Sequence, residues 1–186
     1  MATLTAYPDA SSGATTCDSQ TDRSNDPTTW ADIRDGAGNE VSNTTWAGEV
    51  GTWCSTTDLK WRLLWRAGWG FDTSSLGAGA TITAATLSLV VYSKTTNADT
   101  TYEYAPVDFT PATNNSHVAA DYGNFDATIF APYITHTNIV ADDATYNDWA
   151  LNTAGKDNIS LTGVTNMGLR FNKDISNTEP TYVNGA

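Results

Sequence analysis

The stretch from Lys60 to Asp72 constrains the fold of this chain more than any other. Trp61, Leu63, Trp65, Ala67, Trp69 and Phe71 fall on one parity, and Arg62, Leu64, Arg66, Gly68, Gly70 and Asp72 on the other. A period of two with β-branched or aromatic content is the mark of a strand half-buried in a sheet. One face is apolar and aromatic, so the rings of Trp61, Trp65 and Trp69 are expected to pack in a core rather than form a sugar platform. The other face carries two arginines, which must meet solvent, a carboxylate or a neighbouring subunit.

A turn-rich loop at 73–79 separates this strand from a second at Ile82–Ser93, where Ala85, Leu87, Leu89 and Val91 share a face. Tyr102–Phe109 reads as a third strand, with Pro106 arguing for an edge position or a break. Further strands are expected at Ala127–Ile134, Tyr146–Leu151 and Val164–Phe171. Short helical turns are expected at Thr29–Asp35, His117–Tyr122 and within Thr153–Leu161. No helix is long enough to serve as a crossover between parallel strands. The expected fold is therefore all-β: an antiparallel β-sandwich of jelly-roll type with two or three very short helices. With 186 residues, the chain makes one domain, in which residues 8–57, rich in Asp, Asn, Ser, Thr and Gly, read as long loops.

Charge narrows the class of partner. Twenty-one acidic against nine basic residues give a net charge of -12, which repels phosphate backbones and anionic lipid, so no nucleic acid is expected. No apolar run reaches the ~18 residues of a membrane span, so no membrane insertion is expected. The opening Met1 to Pro8 lacks the charged and apolar stretches of a secretory leader. That fits either a chain assembled where it is made or a mature form whose leader was removed. Asn43-Thr-Thr45, Asn114-Asn-Ser116 and Asn158-Ile-Ser160 match the N-glycosylation pattern, which matters only in a eukaryotic secretory pathway.

Candidate chemistry is sparse. His117 and His136 are the only histidines; neither sits in a nucleophile-elbow or Cys/His pattern, so both read as surface residues and no enzyme activity is expected. Cys17 and Cys54 are too few for a zinc framework; either they stay thiols or they form one disulfide worth about 3 to 4 kcal/mol. Asp18, Asp22 and Asp26, with polar neighbours, are the candidate ligands for a Ca²⁺ ion, although they lack the glycine and closing glutamate of an EF-hand loop. Trp30, Trp46, Trp53, Tyr104 and Tyr122, at loops or strand margins, are the candidate ligand-binding aromatics.

The order Trp69-Gly-Phe-Asp-Thr-Ser-Ser-Leu-Gly-Ala-Gly-Ala-Thr-Ile-Thr-Ala-Ala-Thr-Leu-Ser-Leu89 resembles the signature of DNRLRE-type domains, where a strand ending in Phe-Asp precedes a loop and an I-x-x-A-x-L-x-L strand. The likeness extends to Thr5-Ala-Tyr-Pro-Asp9, His117–Tyr122, Tyr146–Asn152 and Ile159–Val164. It is similar to the form found in phage and environmental viral proteins of unassigned role, with relatives in bacterial surface proteins and carbohydrate-binding modules. The resemblance implies a non-catalytic jelly roll serving virion architecture, adhesion or glycan binding, and it carries over the fold-forming Phe71, Asp72, Ile82, Ala85, Leu87 and Leu89 but no ligand residue. Such domains finish with an Asp-Pro-x-Leu-x-Val strand, which this sequence lacks before Ala186. Either another subunit supplies a closing strand or the sequence is incomplete. The expected role is a structural subunit at the virion or an extracellular surface, a capsid decoration, fibre or filament protein working as a homo-oligomer or lattice through contacts with other protein subunits. The alternative is a carbohydrate-binding module taking glycans.

Overall fold

The computed structural model describes residues 2–9, 15–43, 48–55, 59–95 and 101–181, the side chains of 25–27 excepted. Its strands are β1 (Asp18–Thr28), β2 (Glu40–Ser42), β3 (Gly51–Ser55), β4 (Lys60–Asp72), β5 (Thr86–Val90), β6 (Glu103–Phe109), β7 (Phe125–Ile129), β8 (Ile134–Thr135), β9 (Tyr146–Ala150) and β10 (Val164–Phe171). Its α-helices are α1 (Trp30–Asp35), α2 (Thr153–Asp157) and α3 (Asn172–Ile175), each two turns or fewer. The protein is an antiparallel all-β sandwich. One sheet has eight strands, in the order β2-β1-β4-β10-β6-β7 with β3 also on β4 and β8 also on β6; the other has two, β5 and β9.

β4 is the spine. β1 runs along one of its edges, while the other edge is shared end to end by β3, opposite 60–65, and β10, opposite 67–72. The simple alternation read from the sequence breaks near its start. Trp53 pairs with Leu63 but Cys54 pairs with Trp61, so Arg62 is the extra residue of a bulge and the side chains before it change face. Trp61 thereby joins Leu64 on one side, against Trp30 and Ile33 of α1, while Ala67 and Trp69 face the β5–β9 pair through Leu87 and Trp149. Both faces of β4 are covered, and each has its own core.

The helix against the first core is set locally. The Thr29 hydroxyl accepts from the Asp32 amide and donates to its carboxylate, capping α1 and aiming Trp30 at Trp61, ring centroids 5.2 Å apart in an edge-on contact.

On the face of β4 that carries Arg66, Gly68 lies opposite Gly168 of β10. A Cβ on Gly68 would meet the Phe109 ring, and one on Gly168 would meet the Phe125 ring. These bare positions admit the stacked Phe109–Phe125 pair, with centroids 4.1 Å apart, close to the sheet.

Three expectations are corrected. The described residues of 8–57 are not mainly loop, because β1 is eleven residues long and pairs along β4, and α1, β2 and β3 follow it. β6 is not at an edge: β10 flanks it on one side, β7 and β8 on the other. Pro106 is accommodated because the side to which it would offer its missing N–H is where β7 and β8 leave a gap, and its carbonyl still accepts from Phe130 N at 2.8 Å. The strand expected over 127–134 is two, β7 and β8, broken at 130–133.

Candidate functional site

The most polar part of the interior is built on Asp174 of α3, whose side chain is fully buried. Arg66 on β4 gives it two hydrogen bonds, Nε to Oδ2 at 2.9 Å and Nη2 to Oδ1 at 2.7 Å. Arg170 on β10, four residues before it, gives two more of 2.7 and 2.8 Å. Arg34 of α1 donates to the Asp174 carbonyl at 2.7 Å. Burial works to raise the carboxyl pKa, but the Arg66 and Arg170 guanidiniums hold it well below the usual carboxylate range. Arg66 also lies over the Tyr122 ring, 4.1 Å from its centroid, and donates to the Tyr122 carbonyl.

A cleft of about 330 Å³ opens beside this centre, walled by Arg34, Arg66, Arg170, Asp35 and Asp126 among others. Its charge is already balanced: three guanidiniums stand against the carboxylates of Asp174, Asp35 and Asp126. All five N–H donors of Arg170 are engaged, with Asp174 and with the carbonyls of Phe125 and Asp126. The arginines are committed to holding β4, β10, α1 and α3 together.

A second polar group joins residues that lie far apart in sequence. Ser19 Oγ lies 2.5 Å from His117 Nδ1, and the imidazole meets the Phe109 ring edge-on at 4.9 Å. Burial pushes the His117 pKa down to about 4, against the opposing pull of Asp121, so the ring is neutral. Asp121 does not orient it; that carboxylate accepts from the amides of Ala112 and Val118 and from Asn124 Nδ2. Ser19, His117, Asp121 and the neighbouring Cys17 are at most 1 % exposed, so the group is sealed from substrate as it stands. The expectation that both histidines lie on the surface is corrected: His136 is also buried, bridging Tyr104 Oη at 3.1 Å and the Thr95 carbonyl at 3.0 Å.

The residues singled out from sequence are scattered. Asp18 and Asp22 lie four residues apart on one extended strand, about 13 Å, too far to share one ion. Asp26 is on the same strand, its side chain outside the described set. Among the described residues no group of three His, Cys, Asp or Glu is placed to hold a metal. Asp22 is instead buried beside β2, with Oδ1 lacking a hydrogen-bond partner, and burial followed by the charge of Glu40 raises its pKa.

Trp30 and Tyr122 are core residues, not ligand platforms. Tyr104 is partly buried against the core, its phenol pushed up to about 12 by burial. Trp53 is exposed, with the Arg62 guanidinium 5.8 Å from its ring centroid, and Trp46 lies outside the described residues. Cys17 and Cys54 are both thiols. The Cys17 carbonyl accepts from Gly70 while Cys54 pairs with Trp61, so nine residues of β4, about 30 Å, separate them, against the ~7 Å Cα limit of a disulfide.

Sequence reasoning missed Asp174, Arg170 and Ser19. The signal for the first two was an arginine inside the apolar run Leu169-Arg170-Phe171 with a carboxylate four residues on. Fold and interior together define an antiparallel β-sandwich pinned by a buried arginine–aspartate centre. The chain matches no family model, no curated protein and no solved structure.

Proposed function

We propose that this protein is a non-catalytic structural subunit, virion-associated or surface-displayed, that works by associating with other protein subunits. The observation that carries this reading is the imbalance of the sandwich. An eight-stranded sheet is backed by a sheet of two strands, which has no third strand alongside it among the described residues. Unpaired strand edges are templates for pairing with another chain. The commitment of the arginine cleft to internal hydrogen bonds and the sealing of the Ser19–His117 pair also favour a scaffold over a catalyst.

One observation favours carbohydrate binding as the second reading. Tyr146 and Tyr92 are 57 % and 66 % exposed on and beside the outer face of the β5–β9 pair, near the hydrogen-bonded Ser88 and Asp148. Such a surface offers rings to stack on a pyranose and polar groups to meet its hydroxyls. Electron microscopy of the concentrated protein, run beside affinity electrophoresis in polysaccharide gels, separates the two. Ordered oligomers with unshifted mobility support the subunit; a retarded monomer supports glycan binding and overturns it.

A further inference from the structure

The edge of β5 has the features of a self-pairing surface. Leu151 N donates to the Ala85 carbonyl, and with the register Leu87↔Trp149 and Leu89↔Asn147 this makes the odd positions the hydrogen-bonded pairs with β9. The N–H and C=O groups of Thr86, Ser88 and Val90 therefore point away from β9, and no other strand lies on that side among the described residues.

Proteins normally blunt such edges with charge, proline, bulges or brevity. The other edges among the described residues are blunted: β2 has three residues including Glu40 and the β1 edge beyond it carries Asp18 and Arg23, β8 has two, β7 carries Asp126, β9 carries Asp148, and β3 lies against the stretch of β4 that bulges at Arg62. β5, Thr-Leu-Ser-Leu-Val, has none of these devices. In a chain of net charge -12, β5 itself carries no carboxylate, and the nearest across the pair, Asp148 on β9, stands one strand back from the edge and accepts from Ser88 Oγ at 2.6 Å.

The strip is also complementary to itself. We propose that two copies pair β5 to β5, antiparallel about a two-fold axis at Ser88, so that two β5–β9 pairs become one four-stranded sheet. This rests on the subunit reading above and names its contact. Ser88 then faces Ser88 and Thr86 faces Val90 of the second copy, each as a hydrogen-bonded pair using the outward groups. Leu87 and Leu89 continue the inner apolar face across the axis. An interface of this kind is isologous and closes as a dimer.

The Ser88→Cys variant tests the register. Opposed residues of a hydrogen-bonded antiparallel pair have Cα atoms about 5.5 Å apart, within the ~4.4–6.8 Å that a disulfide spans. Mild oxidation of S88C should give a covalent dimer. T86C, which would face Val90, should stay monomeric on a non-reducing gel. The native Cys17 and Cys54 are buried and should not contribute. Ser88→Pro removes an N–H that β9 does not use and should abolish association while leaving the far-UV spectrum unchanged. Cross-linking of T86C as fast as S88C, or none by S88C while the wild-type protein still associates, overturns this pairing and leaves the subunit reading standing. A wild-type protein that never associates overturns both.

Discussion

Arg66 and Asp174, 108 residues apart in sequence, meet as two parallel hydrogen bonds of 2.9 and 2.7 Å in the interior, and Arg170 grips the same carboxylate from the next strand. Each ion lost from such a centre leaves the others buried without compensation. Asp174→Ala should therefore destabilise the protein by about 3–5 kcal/mol. Urea denaturation checks this; a loss under about 1 kcal/mol would mean that the centre is hydrated or open.

The same centre and His117 set separate acid windows. Asp174 has a depressed folded pKa, so its contribution is fully present above the ~3.9 of an unfolded aspartate and is lost as pH falls through the folded value. His117 acts earlier. It takes a proton only near pH 4 when folded, against ~6.5 when unfolded, so between those values the unfolded chain binds more protons and stability declines as pH falls, by about 3 kcal/mol in all. His117→Gln should make the stability profile shallower between about pH 4 and 6.5, where the remaining slope belongs in part to His136, whose pKa burial also lowers, and should leave the steeper loss below pH 4 in place. Denaturation midpoints across that range provide the measurement.

Asp22 is a buried carboxylate with an unsatisfied oxygen near Glu40 and Glu49. Asp22→Asn removes the charge and should stabilise the protein by roughly 1 kcal/mol at pH 7. Because the folded pKa is raised, the gain should shrink as pH falls through it and the native carboxyl protonates. A gain that persists unchanged in acid would point to packing rather than charge.

Gly68 and Gly168 leave room for two aromatic rings and nothing more. A Cβ on Gly68 would lie 2.5 Å from Phe109 Cε1, so Gly68→Ala should cost about 1–3 kcal/mol by overpacking. Pairing it with Phe109→Leu should recover part of the loss. A neutral Gly68→Ala in thermal melts would show that the Phe109–Phe125 stack can move.

Alkylation after unfolding without reductant should modify both cysteines, because the sheet holds Cys17 and Cys54 about 30 Å apart. In the native state both should react slowly, since burial raises both thiol pKa values. A mass two protons lighter, with no alkylation, would contradict the strand register of β1 and β3 on β4.

Strands whose burial rests on apolar side chains were legible. β4 and β10 have the expected bounds, β6 and β9 differ by one residue, and the strand expected over Ile82–Ser93 is the shorter β5, Thr86–Val90. β1 was not legible, because its sequence Asp-Ser-Gln-Thr-Asp-Arg-Ser-Asn-Asp-Pro-Thr has no apolar stripe. Among its described side chains the buried positions are Ser19, Thr21 and Asp22, and it is held chiefly by backbone pairing to β4. The bulge at Arg62 was equally silent, since a parity change arises from partners distant in sequence. Charged centres were half legible: Arg66 on an aromatic strand required solvent, a carboxylate or a neighbouring subunit, and that the partner is a carboxylate, Asp174, follows from topology alone.

Self-association is the central claim, and the mass of the purified wild-type protein by light scattering, over a hundredfold range of concentration and with and without calcium, tests it most directly. A mass that rises with concentration from one chain to two or more, whether or not calcium is present, is the predicted result. A single-chain mass at every concentration would contradict the claim and transfer the surface of Tyr92 and Tyr146 to the glycan-binding reading.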